Sequence, residues 1–173
     1  MVVQVEFIKD CLTGEMVPDI GAERNRQEIL GFLTEKKGFS RDSIIPRYPL
    51  ELRIGEDIYS SSIDIVVMSG QRPMLAIRCV AGSVASAERE IIAAARIACE
   101  GQIPLALATD GEEAFLFNAL TGKPMSRGLD SIPSKDDLAI LAETLPLLIL
   151  DKDRLDRMKV IFRTYDMENV NRS

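Results

Sequence analysis

Apolar and polar residues alternate through the middle of the chain in a pattern that predicts three consecutive β-strands. The first covers Ile44–Ile54 and the second Tyr59–Met68, where Asp64 faces away from a set of apolar neighbours. The third, Pro73–Ala81, is apolar on both faces apart from Arg78, which is typical of a central strand covered on both sides. Because short turns join these strands, they are predicted to form an antiparallel meander.

Helical patterns precede and follow this meander. A first helix is predicted over Asp19–Lys37, with Asp19 able to cap its start and Gly38 ending it. An alanine-rich helix over about Ser83–Glu100 can return a parallel strand at Ile103–Thr109. The next apolar run, Ala114–Asn118, follows a short turn and is predicted to pair with that strand as a hairpin.

The two ends of the chain contribute further elements. A short strand is predicted over Val2–Ile8 near the N-terminus. Towards the C-terminus, Ser134 and Asp137 have the spacing of a capping box, which predicts a helix to about Leu145. A charged amphipathic pattern over Lys152–Tyr165 predicts a last helix.

These elements together predict an α/β (α+β) fold, a mixed β-sheet with an antiparallel three-strand meander flanked by helices. The length of 173 residues fits one domain, and 46% hydrophobic residues can supply its core. We therefore expect a single domain over 1–173, with its core at about 20–123 and its C-terminal helices at about 134–166.

The composition excludes several kinds of catalytic and binding site. The chain has no histidine, which excludes a histidine general base and histidine-ligated zinc. Its net charge is −6 and its pI is about 4.8. Strong non-specific binding of nucleic acid needs a basic surface that releases counterions from phosphates, so this charge argues against it while leaving room for a local basic patch.

The distribution of cysteine and apolar residues indicates the compartment. Cys11, Cys79 and Cys99 are far apart in the chain and form no CxxC pair, as expected of free thiols in a reducing cytoplasm. The N-terminus lacks the pattern of a signal peptide, and the apolar stretch Leu138–Leu150 is too short to cross a bilayer. We therefore expect a cytoplasmic protein with no membrane partner.

Several short segments between Glu23 and Lys123 occur in an order that resembles a known family. They are Glu23–Gln27, Gly38-Phe39, Ile44–Arg47, Ile63–Val67, Pro73–Ala81, Ile103-Pro104 and Thr109–Gly111. Their order resembles the core of PD-(D/E)XK nucleases. More closely, it resembles the N-terminal domain on the motor (R) subunit of type I restriction enzymes and its short stand-alone relatives. The resemblance implies a restriction-endonuclease-like fold.

The same resemblance implies where a catalytic site would lie. Active members hold a divalent cation with an Asp on the second strand and a Glu on the third, and a Lys two residues after that Glu assists. Glu-x-Lys spacing puts both side chains on one face of a strand, beside the Asp of its neighbour. The Asp corresponds to Asp64, but the Glu corresponds to Arg78 and the Lys to Val80. With the more loosely placed Glu23, these residues form a vestigial site.

These departures argue against catalysis and metal binding at this position. A cation beside Arg78 would meet a positive charge instead of a second carboxylate, so the guanidinium is expected to fill the metal position and pair with Asp64 or Glu23. The family's Gln and Tyr on the next helix also correspond to Ala93 and Ile97. We therefore assign no catalytic residue and no metal ligand.

Three functional hypotheses stay open at this point. The first is a non-catalytic nuclease-fold module of a restriction or defence system, which binds DNA weakly or binds other protein subunits. The second is an active endonuclease that uses magnesium or manganese and recruits Glu23, Asp19 or Glu51 around Asp64. The third is a protein-interaction domain with no nucleic-acid role. Only the second hypothesis requires a cofactor, and the sequence leaves the oligomeric state open.

A loose basic stretch is the candidate for DNA contact under the first hypothesis. It consists of Lys36, Lys37, Arg41 and Arg47, and it runs from the end of the first predicted helix into the first strand of the meander. Runs of like charge are more often solvated surface than a binding site. The stretch nevertheless supplies a local group of positive charges of the kind that the first hypothesis needs.

Overall fold

The computed structural model describes residues 5–168, which form eight strands and four α-helices. The strands are β1 (Phe7–Lys9), β2 (Met16–Pro18), β3 (Ile44–Ile54), β4 (Asp57–Ser69), β5 (Arg72–Cys79), β6 (Leu105–Thr109), β7 (Ala114–Asn118) and β8 (Lys123–Arg127). The helices are α1 (Glu23–Glu35), α2 (Glu88–Ile97), α3 (Lys135–Thr144) and α4 (Lys152–Glu168). No helix within these residues is long and apolar enough to cross a membrane.

Six strands form one mixed sheet in chain order, from β3 at one edge to β8 at the other. Neighbouring strands pair antiparallel except β5 and β6, which are parallel because α2 crosses between them. The predicted meander, the parallel return and the hairpin of β6 with β7 are therefore confirmed. The predicted bounds of β3 and β7 are confirmed as well.

Helices cover both faces of this sheet and bury two apolar clusters. On one face, α2 and α4 pack on β-strand residues, and Phe162 of α4 is fully buried there. On the other face, α1 and α3 supply Leu30, Leu33 and Leu138. The side chain of Ser134 accepts a hydrogen bond from the amide of Asp137 at the start of α3, so the predicted capping box is confirmed.

The N-terminal region differs from the prediction. A strand was predicted over Val2–Ile8, of which residues 2–4 fall outside the described part of the chain. Within the described part the strand is β1, and β2 pairs with it as a separate hairpin. The predicted helix start at Asp19 is wrong, because α1 begins at Glu23 after Gly21 takes a φ of +61°. Asp19 instead forms an ion pair with Arg24.

Two further differences follow from local sequence. Strand β8 was not predicted, because its five residues are all exposed and show no apolar alternation. The long helix predicted after β5 is shorter in the structure: a 3₁₀ turn at Val84–Ala87 precedes α2, which ends at Ile97. Gly101 and Gln102 then take φ values of +87° and +60°, which a continuing helix does not allow.

Candidate functional site

Asp64 and Arg78 lie side by side on the two central strands of the meander. The antiparallel register pairs Ile65 with Ile77, so Asp64 on β4 faces Arg78 on β5 across the strands. Arg78 Nη1 donates a hydrogen bond to Asp64 Oδ1 at 2.9 Å. The prediction that these two side chains share one face of the sheet is confirmed, and Arg78 pairs with Asp64 rather than Glu23.

Two helices bring further carboxylates to Arg78, which is completely buried. Its Nη2 lies 2.8 Å from Glu90 Oε1 on α2 and 3.8 Å from Asp166 Oδ1 on α4. Burial disfavours the charged guanidinium, but the carboxylates of Asp64, Glu90 and Asp166 outweigh it and raise the pKa of Arg78. Arg78 therefore remains a cation that links two strands and two helices. We name Asp64, Arg78, Glu90 and Asp166 the Arg78 cluster.

Both carboxylate oxygens of Asp64 already have donors. Oδ1 accepts from Arg78, and Oδ2 accepts from the amide of Cys79 at 2.8 Å. Two residues after Arg78, Val80 presents an apolar side chain to the same region, and its backbone carbonyl accepts from Asn25 Nδ2 at 2.7 Å. Asp64 is therefore engaged by a guanidinium and a main-chain amide, and Val80 supplies no amine beside it.

A second buried ion cluster surrounds Glu23 at the start of α1. Arg26 Nη2 lies 2.5 Å from Glu23 Oε1 and 3.2 Å from Asp10 Oδ2, and all three residues are less than a tenth exposed. Gln27 Nε2 donates to Glu23 and Asp10, at 2.9 Å each. Arg47 Nη2 donates to Glu23 Oε2 at 3.1 Å, and Arg26 Nε donates to the same oxygen at 3.1 Å. Glu23 is therefore held by two guanidinium groups.

The electrostatics of this Glu23 cluster favour its charged forms. Burial raises the pKa of both acids, but hydrogen bonds from Arg26 and Gln27 to Glu23 outweigh it and lower its pKa overall. For Asp10, the amides of Thr13 and Leu12 and the side chain of Gln27 have the same net effect on the pKa. Both carboxylates are therefore ionised at neutral pH.

Arg47 reaches Glu23 from an unusual backbone conformation. Its φ is +50°, in the left-handed region that a non-glycine residue rarely adopts. It lies in β3 between Pro46 and Tyr48, which pair with Ile65 and Ile63 of β4. Such strain persists when surrounding contacts enforce it, and it occurs most often at functional sites.

The two clusters open into one cleft of about 500 Å³. Glu23, Arg26 and Arg47 line it beside Asp64 and Val80, with the β1–β2 hairpin on one side. Three of the residues predicted to form a vestigial site, Glu23, Asp64 and Val80, therefore share this cleft, while Arg78 lies buried behind Asp64. Within residues 5–168 no three acidic or cysteine side chains are arranged to hold a metal ion.

The four basic residues predicted for DNA contact lie in different places. Of the basic stretch, Arg47 alone lines the cleft; Lys37 donates to the carbonyl of Asp130, and Arg41 donates to that of Leu12. Lys36 lies at the end of α1. DNA contact by these four residues stays a prediction.

The acids that the active-endonuclease hypothesis expected around Asp64 also lie in different places. Glu23 lines the cleft with Asp64, whereas Asp19 and Glu51 do not. Asp19 pairs with Arg24, and Glu51 is exposed on the edge strand β3. Of the three acids that the second hypothesis named, Glu23 alone lines the cleft with Asp64.

Acid should destabilise the fold through the Glu23 cluster. The pKa values of Asp10 and Glu23 are lowered in the folded state from 3.8 and 4.5. These carboxylates therefore stabilise the fold at pH values above 3.8 and 4.5, and this stabilisation is lost as the pH falls through their folded-state pKa values. Urea unfolding between about pH 5 and pH 3 should show a shallower loss of stability in Glu23→Gln than in wild type. The exposed control Glu56→Gln should follow the wild-type curve; a Glu23→Gln curve parallel to wild type would contradict the assignment.

The fold and cleft define a mixed α/β domain with buried ion clusters where a nuclease-like site was predicted. A family model described as type I restriction enzyme R protein N terminus (HSDR_N) matches residues 21–133, more than half of the chain. The chain belongs to this family, and the resemblance found in the sequence is confirmed.

One solved structure shares this fold. It is the fragment structure of a putative HsdR subunit of a type I restriction enzyme from Vibrio vulnificus YJ016, with 17% sequence identity and a TM-score of 0.51. The match covers 66% of this chain but 24% of that one, so the chain corresponds to about a quarter of its length. No curated protein matches the chain.

Proposed function

We propose that this domain is a non-catalytic PD-(D/E)XK-type module of a restriction or defence system. The observation that carries the proposal is the Arg78–Asp64 ion pair. The resemblance in the sequence assigns these two positions to the carboxylates with which active members hold a cation. A guanidinium at that position neutralises Asp64 without a metal. The domain thereby keeps the nuclease-like fold but loses metal-dependent hydrolysis of phosphodiesters.

The contacts of Asp64 support this reading. Magnesium requires near-octahedral oxygen ligands, and phosphodiester hydrolysis in this family relies on the charge of the cation. Asp64 already accepts from Arg78 and from the amide of Cys79, and a cation at its free face would lie close to a buried positive charge. Val80 in turn supplies no amine to orient water or to stabilise developing charge.

We further propose that the module acts through binding, in the cytoplasm. The net charge of −6 favours protein subunits over DNA as the main partner, and the restriction-enzyme family supplies the context in which such subunits occur. Arg47 is the strongest candidate for a weak contact with a phosphate, because it lines the cleft and its side chain is 62% exposed. The free thiols of Cys11, Cys79 and Cys99 are consistent with a reducing compartment.

Wild-type protein should bind neither magnesium nor manganese at Asp64. Calorimetric titration with each cation should give no saturable heat that depends on Asp64, and a supercoiled plasmid should not be nicked. Asp64→Asn is the matched control, because it removes the carboxylate charge with little change in size. Micromolar manganese affinity that disappears in Asp64→Asn would contradict the proposal.

One observation favours an active endonuclease as a second candidate. Glu23 and Asp64 line the same cleft, so two carboxylates border it even without the family's Glu. A cation bound there would have to displace or share the guanidinium groups that pair with them. In that case manganese-dependent nicking should require both Glu23 and Asp64. The same titration and plasmid assay therefore separate the two candidates.

Binding to duplex DNA should be no tighter than the non-specific range, about 10⁻⁴ to 10⁻⁶ M at physiological salt. The negative net charge limits the counterion release that drives such binding. Fluorescence anisotropy with Arg47→Ala and the control Arg53→Ala, an exposed arginine of the same strand, tests whether the cleft takes part. Nanomolar binding by wild type would instead show a dedicated DNA module.

A further inference from the structure

The β1–β2 hairpin stands apart from the six-stranded sheet. It precedes the residues 21–133 that match the family model, and its two strands pair with each other rather than with the sheet. Within residues 5–168, no main-chain hydrogen bond joins residues 5–18 to a residue beyond Ile20. Side-chain contacts therefore hold the hairpin against the rest of the domain.

The side chain of Asp10 makes the most buried of these polar contacts. It is 5% exposed, and its Oδ2 accepts from Arg26 Nη2 at 3.2 Å and from Gln27 Nε2 at 2.9 Å. The amide of Cys11 donates to Gln27 Oε1 at 2.8 Å, and Leu12 packs against the apolar cluster to which α1 contributes. Because breaking a buried ion pair costs far more than breaking an exposed one, the docking of the hairpin depends most on Asp10.

The connection between the hairpin and α1 has the properties of a hinge. Gly21 takes a φ of +61° there, and glycine has the widest choice of backbone conformations. The contacts beside it are ion pairs of Arg24 with Asp19 and Glu6, and the side chains of Arg24 and Glu6 are 56% and 80% exposed. Exposed pairs of this kind contribute little to stability. The base of the hairpin can therefore turn at small cost once the tip is released.

The hairpin also forms one wall of the cleft, which Val17, Pro18 and Ile20 line. We propose that the β1–β2 hairpin is a flap that turns about Gly21, and that Asp10 holds it closed against the cleft. Opening of the flap removes this wall and admits a ligand larger than the closed cleft of about 500 Å³. The flap controls access whatever the cleft binds, so its test is independent of the proposed function.

The thiol of Cys79 reports whether the cleft is open. Cys79 lines the cleft but is 5% exposed, and burial raises the pKa of its thiol. An alkylating reagent should therefore reach this thiol when the flap opens. Tryptic digestion separates Cys11, Cys79 and Cys99, because Arg78 and Arg96 precede the second and the third. Mass spectrometry then measures the labelling of each thiol in one sample.

Hydrogen exchange and alkylation of the wild-type protein in low concentrations of urea give the first test. Opening of the flap exposes little surface, so urea should accelerate the exchange of the hairpin amides and the labelling of Cys79 only slightly. Amides of β4 and β5, which exchange by unfolding of the whole domain, should accelerate steeply. If the hairpin amides or Cys79 show the same steep dependence, they become accessible only on unfolding of the whole domain, and the proposal is wrong.

Asp10→Asn tests what holds the flap closed. It removes the carboxylate charge with little change in size, and it should speed both hairpin exchange and Cys79 labelling by at least about tenfold. Glu15→Gln, which neutralises an exposed acid of the same hairpin, is the matched control and should change neither rate. Cys99 is not among the residues that line the cleft, so its labelling should be the same in all three proteins.

Two outcomes of this comparison contradict the proposal. Faster hairpin exchange in Asp10→Asn without faster labelling of Cys79 would show that the hairpin is loosely attached but does not close the cleft. Unchanged hairpin exchange in Asp10→Asn would show that Asp10 does not hold it. Because the urea series uses wild-type protein, it decides whether the hairpin opens by itself even if Asp10→Asn does not fold.

Discussion

Replacing Arg78 by methionine should lower the free energy of unfolding by about 3–5 kcal/mol, the usual cost of removing one partner from a buried ion pair. The reason is the position of this guanidinium, which lies fully buried between Asp64, Glu90 and Asp166. Methionine fills much of the volume but supplies no positive charge. Carboxylates packed at the centre of the fold then repel one another in a region of low dielectric.

Chemical denaturation measures this loss, and two further variants locate its cause. Arg89→Met changes an exposed arginine on the same helix as Glu90 and should alter stability by no more than about 0.5 kcal/mol. Adding Glu90→Gln to Arg78→Met should recover part of the loss, because one repelling charge is removed. If Arg78→Met is as stable as the Arg89 control, the Arg78 cluster does not hold the strands and helices together.

The central strands could be predicted from the sequence because their pattern is local. Alternation along β3 and β4, and an apolar β5 interrupted by one arginine, determine both the strands and the shared face of Asp64 and Arg78. Short turns then leave antiparallel pairing as the one simple arrangement. None of this requires knowledge of what packs above the sheet.

The partners of Arg78 were missed because they come from distant helices. Glu90 and Asp166 are acids in charged helical sequence, where such residues usually face solvent. A signal was nevertheless present: Asp166 follows Phe162 by four residues and therefore shares its buried face of α4. An arginine in an apolar central strand requires buried acids nearby. Acids on the buried faces of the flanking helices were therefore the candidates for the partners of Arg78.

The Glu23 cluster was only partly predictable, for a different reason. Glu23 was identified through the family resemblance, but Asp10 comes from a hairpin that precedes the matched residues 21–133. Two three-residue strands carry too little pattern to predict how they pack. The positive φ of Arg47, which directs its side chain to Glu23, also depends on tertiary contacts and leaves no mark in the sequence.

Converting Arg78 to glutamate should create a divalent-cation site that wild type lacks. The new carboxylate would share its face of the sheet with Asp64. If the proposed correspondence holds, this recreates the pair of acids that active members carry on neighbouring strands. Without a cation these acids repel each other and Glu90, so Arg78→Glu should be strongly destabilised in buffer that contains a chelator. Cation binding to the folded state alone should then raise the stability, by about 2.7 kcal/mol at a hundredfold excess of manganese over its Kd.

Thermal unfolding with and without manganese measures this gain, and Arg78→Gln is the matched control. The Arg78→Gln variant also lacks the guanidinium but gains no negative charge. It should therefore be less stable than wild type, and addition of the cation should not raise its stability. Adding Val80→Lys to Arg78→Glu should place an amine on the same strand face. Nicking should return less readily than binding, because under the proposed correspondence Ala93 and Ile97 stand where active members have Gln and Tyr. If Arg78→Glu folds and gains no more from manganese than Arg78→Gln does, Arg78 does not occupy the metal-binding position. The inactivated-nuclease proposal would then be wrong, whereas a selective gain would show that the scaffold has kept the geometry of a metal site after losing its second acid.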